Sequence, residues 1–271
     1  IVKALIDGDI LVYRCGFAAE KNDYKTSHGN FRYKKEIPEG ATIHEVERII
    51  EPVENALNNV KTVLREIGER ISEKFSEDRI ELELYLTGHG NFRDELATIK
   101  VYKGNRDKNH RPHWYTEIQD YMKTTWKAET VDGIEADDVL SDLQTDETCI
   151  VSTDKDLDQV PGWHYNWVKA DLYYVSVSEA RHMLYKQILT GDSTDNIEGI
   201  PGVGEKTAIK MLEGSDDYEQ TVRDAYEDYF TSEKGSQKCA QYLMTWEDIL
   251  AENRALVTLG TILTDFQHGY K

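Results

Sequence analysis

The stretch VDGIEADDVLSDL, from Val131 to Leu143, holds five carboxylates in thirteen residues. Three of them, Glu135, Asp137 and Asp138, fall within four positions at the start of a periodic apolar segment. This pattern predicts a short amphipathic helix with an acidic first turn. Acidic residues at a helix N-terminus are ordinary caps, so capping is one interpretation. A further use for the charge depends on where the other acids of the chain lie.

The charged residues of the chain are segregated. A formal net charge of −19 over 271 residues would by itself argue against binding a polyanion. Between residues 129 and 158, however, eleven acidic residues stand against one basic residue. Between residues 100 and 111, five basic residues stand against one acidic residue. This separation favours a metal centre beside an anion-binding surface, and a solvated acidic face is the alternative interpretation.

Composition and cysteine usage favour a globular intracellular protein. A chain of this length, 39% hydrophobic and 31% charged, can bury a core as one large domain or two small ones. Cys15, Cys149 and Cys239 form no C-x-x-C pair, which predicts reduced thiols and argues against a zinc knuckle. No apolar run approaches the ~20 residues of a membrane span, and the N-terminus is too acidic for a signal peptide. We expect a cytoplasmic protein without membrane association.

Strand and helix patterns alternate along most of the chain. The strand patterns cover residues 2–7, 80–88, 148–154, 163–168 and 172–177, and the helical patterns cover residues 42–75, 113–126 and 178–190. Residues 21–40 are polar and contain glycines, which predicts a loop or an irregular hairpin. The alternation predicts an α/β fold with a mostly parallel central sheet flanked by helices over residues 1–190. Residues 191–271 show only helices and turns, which predicts a helical subdomain.

Acidic residues follow the predicted strands at the edge of the sheet where ligands bind in open α/β folds. Eight carboxylates from separate segments are expected to converge there: Asp7, Glu135, Asp137, Asp138, Asp154, Asp156, Asp192 and Asp195. So many carboxylates would repel and raise one another's pKa values, unless cations neutralise them. Oxygen ligands without His or Cys suit Mg²⁺ or Mn²⁺. Two such ions about 3.5–4 Å apart are the apparatus of in-line phosphoryl displacement.

A glycine-rich turn precedes a helix in GIPGVGEKTAIKML, residues 199–212. Such turns expose backbone N–H groups to phosphate, and the pattern resembles the hairpin of helix-hairpin-helix DNA-binding proteins. A hairpin of this kind holds the duplex backbone without reading sequence. The residues expected to contact DNA here are Gly202, Gly204, Lys206, Thr207 and Lys210. The alternative is a tight turn between two helices that binds no ligand.

A basic strip with interleaved aromatic residues covers FRDELATIKVYKGNRDKNHRPHW, residues 92–114. Its cations are Arg93, Lys100, Lys103, Arg106, Lys108 and Arg111. Basic residues among aromatic rings suit a single-stranded or frayed nucleic-acid end. A solvated helix face is the alternative interpretation.

Taken in order, the motifs LIDGD, FRDEL…YKGNR, GIEADD, STDKDLD and GDSTDNIEGIPGVGEKTA resemble the flap endonuclease and 5′→3′ exonuclease family of bacteriophages and of bacterial DNA polymerase I. The resemblance implies a PIN-like nuclease core with a C-terminal helical subdomain that carries the helix-hairpin-helix motif. It implies that Asp7, Glu135, Asp137 and Asp138 belong to one metal site. The second site would be formed or shared by Asp154, Asp156, Asp192 and Asp195.

The resemblance also assigns the basic pair. Lys103 and Arg106 match the residues that contact the scissile phosphate and act in catalysis. A monovalent cation at the hairpin from Gly199 to Gly204 is a further expectation.

Two departures from the family pattern stand out. The family usually has an Asp at the end of the strand before FRDEL, whereas this chain has Thr87, Gly88 and His89. The first metal site is therefore expected to be weaker or differently shaped. The basic arch region, about residues 92–126, is also short and is interrupted by Pro112. A free 5′ end on a duplex is then the expected substrate, rather than a strand threaded through a large arch.

The function expected from these features is magnesium-dependent 5′→3′ exonuclease or flap endonuclease activity, used in phage DNA replication or degradation. The partner would be DNA with a 5′ end or a 5′ flap, the protein a monomer, and the product a 5′-phosphate. One alternative is a catalytically weakened DNA-binding protein of the same fold. Another is a haloacid-dehalogenase-type phosphatase, favoured by LIDGDILV and LYLTG but opposed by the lack of a suitably placed Lys.

Overall fold

The computed structural model describes residues 2–106 and 110–260. The chain forms two compact units, one made of Ile1–Leu86 and Lys108–Glu129, the other of Thr87–Asp107 and Thr130–Lys271. We call these the first and the second unit.

The helices and strands follow one another in chain order. The first half contains β1 (Lys3–Asp7), α1 (Gly8–Ala18), β2 (Glu20–Thr26), β3 (Gly29–Phe31), β4 (Ile43–Ile50), α2 (Val53–Phe75), β5 (Glu81–Asn91), α3 (Phe92–Leu96) and α4 (Tyr115–Thr125). The second half contains β6 (Glu129–Gly133), α5 (Ala136–Leu143), β7 (Thr148–Val151), β8 (Gly162–Asn166), β9 (Asp171–Val175), α6 (Val177–Thr190), β10 (Gly191–Asp192), β11 (Ile197–Glu198), α7 (Glu205–Leu212), α8 (Tyr218–Phe230), α9 (Glu233–Tyr242) and α10 (Trp246–Val257).

The first unit combines a parallel strand pair with a separate antiparallel sheet. Strands β1 and β5 pair in parallel, with Asp7 opposite Tyr85 at the carboxyl end of β1. Strand β2 lies between β3 and β4 and pairs with both in antiparallel fashion. The polar residues 21–40 therefore form a hairpin, one of the two structures predicted for them.

The prediction of helix over residues 42–50 is wrong. This segment is strand β4, and helix α2 begins only after Pro52, which the sequence marks as a helix start. The apolar residues Ile43, Val46, Ile49 and Ile50 fit a helical period, but all four are β-branched and suit a strand equally well. The pairing of β4 with β2 decides between the two structures, and a local pattern does not contain that long-range contact.

The second unit contains the strands that position the acidic residues. Strand β7 pairs in parallel with β8, and β8 pairs in antiparallel fashion with β9. Helix α5 begins with a capping box in which Glu135 and Asp138 each accept a backbone N–H of the other. Helix α6 begins with a second box between Ser176 and Glu179, two residues before the predicted start at Ser178.

Helices α6 to α10 share one apolar core within the second unit. Its buried residues include Ile188 and Leu189 of α6, Leu212 of α7, Tyr226 of α8 and Leu250 of α10. Helix α6 packs in this core together with the C-terminal helices, and the domain boundary at residue 190 stays a prediction. No helix within residues 2–106 and 110–260 is both long enough and apolar enough to cross a membrane.

Candidate active site

Four of the predicted ligands lie together in the second unit: Asp154, Asp156, Asp192 and Asp195. We call them the acidic cluster. Burial raises the pKa of the Asp156 carboxyl to about 7, and Asp154, Asp192 and Asp195 add to this through their negative charge. Burial also raises the pKa of Asp154, again with contributions from Asp195 and Asp192. The mutual effect shows that these carboxylates lie close enough to interact.

Hydrogen bonds from the surrounding loops orient the cluster. The backbone N–H of Asp156 donates to Asp154 Oδ1 at 2.9 Å, and the N–H of Thr194 donates to Asp192 Oδ1 at 2.7 Å. Gln187 Nε2 of α6 donates to Asp156 Oδ1 at 2.5 Å. These bonds leave the cluster with more negative charge than its donors compensate, which is the condition for binding a cation.

The predicted basic pair approaches the cluster from residues 102–106. Lys103 Nζ forms an ion pair with Glu135 and lies 3.7 Å from Asp195 Oδ2, while Arg106 forms an ion pair with Asp195. Lys103 has a left-handed backbone with φ of 51°, and its N–H donates to the Asp195 carbonyl oxygen at 2.9 Å. Such a conformation is costly for a residue other than glycine and is common at functional sites. The structure thus brings Lys103, Arg106, Glu135 and Asp195 together.

Tyr102 joins the same group, although the sequence marked it only as one aromatic residue of the basic strip. Its hydroxyl lies 2.9 Å from Glu135 Oε2 and 2.9 Å from Asp195 Oδ2. Burial, together with these two carboxylates, raises the pKa of Tyr102 far above its usual range. The phenol therefore stays protonated and links the acidic start of α5 to the acidic cluster.

Arg93 and Asp138, both predicted as site residues, form a buried ion pair. Arg93 was expected to contact DNA, but its side chain is only 1% exposed and donates to both oxygens of Asp138 at 2.7 Å. Asp138 was expected to bind metal, but it is fully buried and also accepts the N–H groups of Glu135 and Gly260. The pair holds the start of α5 in place, and the burial of Arg93 leaves its guanidinium inaccessible to DNA. Metal ligation by Asp138 stays a prediction.

Asp132, on β6, lies beside Gly88 of β5, the position at which the family pattern expects an acid. The N–H of His89 donates to Asp132 Oδ1 at 2.7 Å. A β-carbon on Gly88 would collide with that oxygen and with the Val131 carbonyl oxygen, 2.6 Å away. The bare glycine therefore gives the carboxylate of the next strand room at this position. The sequence contained both residues, but nothing in it indicated that they meet.

Asp7 lies in the first unit, at the carboxyl end of β1 as predicted. It is 3% exposed and caps α1, accepting the N–H of Ile10 at 3.2 Å. Asp137 lies half-buried in the first turn of α5. Metal ligation by Asp7 and Asp137 stays a prediction.

The donor set fits a hard divalent cation. Within residues 2–106 and 110–260, no three acidic, His or Cys side chains are close enough together to hold a metal ion as they stand. Lys103 and Arg106 instead occupy carboxylate oxygens of Glu135 and Asp195. The donors of the cluster are nevertheless all carboxylates, and burial together with the charge of the neighbouring acids raises the pKa values of Asp154 and Asp156. A cation of the Mg²⁺ class would relieve that repulsion.

We expect the Asp156→Asn substitution to stabilise the protein in EDTA. The pKa of Asp156 rises from 3.8 to about 7 on folding, so the unfolded chain loses this proton at lower pH than the folded one. The folded state therefore loses stability as the pH increases from about 4 to 7, and the amide removes this loss. Melting temperatures in EDTA should be a few degrees higher for the variant at pH 7 and nearly equal at pH 4.

Mg²⁺ should reverse the order, because the wild type gains a bound ion that the variant holds poorly. Asp146→Asn, at an exposed acid of the same unit, is the matched control and should behave as the wild type at every pH. If the melting temperature of Asp156→Asn in EDTA at pH 7 equalled that of the wild type, the loss of stability assigned to the raised pKa of Asp156 would be contradicted.

The glycine-rich hairpin has the accessibility that its predicted role requires. Gly202 has a φ of 85°, which favours glycine, and neither Gly202 nor Gly204 has atoms packed where a side chain would be. Lys206, Thr207 and Lys210 are exposed on α7, and no carboxylate in the described part of the chain pairs with the two lysines. DNA binding by these five residues remains a prediction.

The other predicted DNA contacts are scattered. Lys100 Nζ lies 3.3 Å from Glu198 Oε2 in the second unit. Arg111, in the first unit, has its guanidinium 4.8 Å from the centre of the Tyr115 ring. Lys108 lies outside the described residues.

Comparison with known proteins gives one family match. Residues 179–267 match the family described as 5′-3′ exonuclease, C-terminal SAM fold. The chain is 33% identical over 156 residues to DNA polymerase I of Bacillus subtilis, a match that covers 55% of this chain and 16% of that protein. It is 26% identical over 227 residues to a 5′-3′ exonuclease of Buchnera aphidicola, covering 77% of this chain and 68% of that one.

The structural comparison agrees. The flap endonuclease of bacteriophage T5, solved in complex with DNA and metal ions, matches with a TM-score of 0.58 and 18% identity, covering 98% of this chain and 92% of that one. This likeness confirms the predicted fold, a mixed α/β protein with a mostly parallel central sheet and a helical C-terminal part. The resemblance to the 5′→3′ exonuclease and flap endonuclease family is likewise confirmed.

Proposed function

We propose that this chain is a magnesium-dependent nuclease that hydrolyses DNA phosphodiesters at or near a 5′ end and leaves a 5′-phosphate. The observation that carries the proposal is the meeting of Lys103 and Arg106 with Glu135 and Asp195 beside the acidic cluster. Phosphate-binding cations next to a group of carboxylates suit phosphodiester cleavage with a divalent metal. The names of the relatives point to the same reaction.

The ligand roles follow from the donor set. In the second unit, two Mg²⁺ or Mn²⁺ ions would be held by Glu135, Asp137, Asp154, Asp156, Asp192 and Asp195. Asp132 would supply the carboxylate that Gly88 of β5 lacks. When bound, the ions would polarise the attacking water and neutralise charge on the leaving oxygen. A separate protein base is not required for this chemistry.

The basic pair would bring the substrate to the acids. A phosphodiester entering the site offers Lys103 and Arg106 an alternative anionic acceptor to the carboxylates that they contact in its absence. Release of Lys103 from Glu135 frees an oxygen of Glu135 for a cation, so arrival of DNA and completion of the metal site would be linked. The protonated hydroxyl of Tyr102, which contacts both Glu135 and Asp195, would hold these two carboxylates in place during this exchange.

The hairpin would hold the duplex. The exposed turn at Gly202 and Gly204, with Lys206 and Lys210 on the following helix, would bind backbone phosphates without regard to sequence. The overall acidity of the chain is compatible with this role, because the contacts that face DNA would be locally basic.

A substrate panel tests the proposal. Duplexes with a recessed 5′ end or a 5′ flap, each carrying a radioactive 5′-phosphate, are incubated with Mg²⁺ or with EDTA. We expect labelled mononucleotides from the recessed end and short labelled products from either substrate, all lost in EDTA. DNA bound but never cut would favour the weakened binding protein. Turnover of a small phosphomonoester without DNA cleavage would favour the phosphatase.

A further inference from the structure

A second basic and aromatic surface lies in the first unit, far in sequence from the basic strip. It is the segment FRYKK, residues 31–35, which ends strand β3 and enters the short helical turn Lys34–Glu36. We call it the basic finger. Arg32, Tyr33, Lys34 and Lys35 are all exposed, and Tyr33 is 56% exposed. Lys35 Nζ lies 5.7 Å from the centre of the Tyr33 ring.

The cations of the finger differ from those elsewhere in the same small sheet. Lys21 pairs with Glu51, Lys25 Nζ lies 3.1 Å from Glu45 Oε2, and Arg48 Nη2 lies 2.6 Å from Glu20 Oε2. By contrast, no carboxylate of residues 2–106 and 110–260 pairs with Arg32, Lys34 or Lys35, and the nearby Glu36 and Glu39 leave them unpaired as well.

That contrast is informative because the chain is rich in acids, with 51 Asp and Glu against 32 Lys and Arg. Three adjacent cations without a carboxylate partner on such a surface form a site of locally positive potential. The sheet satisfies its other cations internally, so the finger is left available to an external anion.

Apolar and aromatic side chains form a row across the sheet behind the finger. Tyr24 of β2 stands opposite Phe31 of β3 and opposite Val46 of β4, so the three side chains share one face. Val46 is 50% exposed, and Tyr24 and Phe31 are half-buried. This row gives a surface on which flat rings can stack, and Tyr33 adds an exposed ring just after β3.

We propose that the basic finger and this row bind single-stranded DNA. This inference rests on the proposed function, for which an unpaired 5′ strand is one substrate. Three phosphate-binding cations beside open aromatic faces match the way proteins hold single strands without reading their sequence. A duplex offers the same phosphates but keeps its bases stacked and unavailable to Tyr33, so unpaired DNA fits better.

Salt-dependent binding tests the cations. The triple variant Arg32→Ala, Lys34→Ala, Lys35→Ala is compared with the wild type by fluorescence anisotropy in EDTA, using labelled oligothymidylate and a blunt duplex. Loss of three phosphate contacts should reduce the slope of log Kd against log salt concentration by about 2 for the single strand. The slope for the blunt duplex should stay unchanged.

A charge-matched variant separates local contact from loss of net charge. Lys61→Ala, Arg65→Ala, Arg70→Ala removes three exposed cations from α2 and should keep the wild-type slope. Tyr33→Ala should weaken oligothymidylate binding roughly tenfold, whereas Tyr33→Phe should bind as the wild type because stacking needs only the ring. Equal slopes for the two triple variants would overturn the proposal.

Cleavage of a recessed 5′ end, which has no unpaired 5′ strand, distinguishes the two levels of inference. Both proposals are supported if the wild type and the triple variant of the finger cut this substrate equally and the variant has a smaller slope of log Kd against log salt concentration for oligothymidylate. If both proteins cut the substrate and their slopes for oligothymidylate are equal, only the proposal for the basic finger fails. If the wild type cuts nothing, the proposed function fails, and the slope still decides whether the finger binds single strands.

Discussion

Replacing Asp154 with alanine is expected to lower kcat for hydrolysis at a 5′ end on the order of 10³-fold or more. The carboxylate lies in the acidic cluster beside Asp156, Asp192 and Asp195, where burial raises its pKa and the charges of Asp195 and Asp192 add to the increase. Losing one ligand from a metal pair removes several kcal/mol of charge stabilisation in the transition state, and about 1.4 kcal/mol corresponds to a factor of ten. Single-turnover cleavage of a duplex with a recessed 5′ end, in excess enzyme and Mg²⁺, measures the effect.

Binding and stability separate this effect from misfolding. Because Asp154 repels its neighbours, its removal should leave the melting temperature in EDTA equal or higher, and DNA affinity equal or higher, than in the wild type. Asp146→Ala, at an exposed acid in the same unit, should cleave at the wild-type rate. A variant Asp154→Ala that folds, binds DNA and cuts within tenfold of the wild-type rate would remove Asp154 from the metal site.

Replacing Arg93 with alanine is expected to destabilise the protein by about 3–5 kcal/mol, because it leaves the carboxylate of the fully buried Asp138 without its partner. The carbonyl oxygens of Leu256 and Thr258, which accept from the same guanidinium at 2.9 and 2.8 Å, would also lose a donor. A drop in melting temperature on the order of 10 °C should follow. Thermal and urea unfolding measure both quantities.

A second arginine–carboxylate pair in the same unit provides the control. Arg254 Nη2 donates to both oxygens of Glu219 at 2.8 and 2.7 Å, but these side chains are 25% and 36% exposed. Exposed pairs contribute about 0–1 kcal/mol, so Arg254→Ala should cost far less than Arg93→Ala. Arg93→Lys should also be destabilising, because an ammonium cannot reproduce the two-pronged contact. Equal costs at the two arginines would show that burial of the Arg93 pair has no structural importance.

Local signals in the sequence predicted much of the molecule. Pro52 marked the start of α2, and the acidic stretch at Glu135 marked the start of α5, because caps and turns depend on neighbouring residues. The alternation of strand and helix patterns, which can also be read from neighbouring residues, predicted the α/β class. The position of Asp154, just after β7, followed from a general rule, that ligands gather at the carboxyl ends of parallel strands. Asp192 and Asp195 lie on and after the antiparallel strand β10, to which this rule does not apply.

The sequence could not show which charges neutralise one another. Arg93 was predicted as the first cation of a DNA-binding strip, yet its guanidinium pairs with the carboxylate of Asp138, 45 residues away in the chain. Tyr102 looked like one aromatic residue among several, yet it connects Glu135 to Asp195. The spacing of the apolar residues in 43–50 fitted a helix and their β-branched side chains suited a strand, and pairing with β2 decided for the strand. Each of these outcomes depends on contacts between distant segments, which no local pattern encodes.

The contact between Gly88 and Asp132 constrains how this protein and its relatives could have diverged. Any side chain at position 88 would displace the neighbouring carboxylate, so an acid at position 132 can take its present place only beside a glycine at position 88. The two positions should therefore covary among relatives. A motif search that requires an acid at position 88 of β5 would miss such proteins. A search that accepts glycine at this position together with an acid on the following strand would find them.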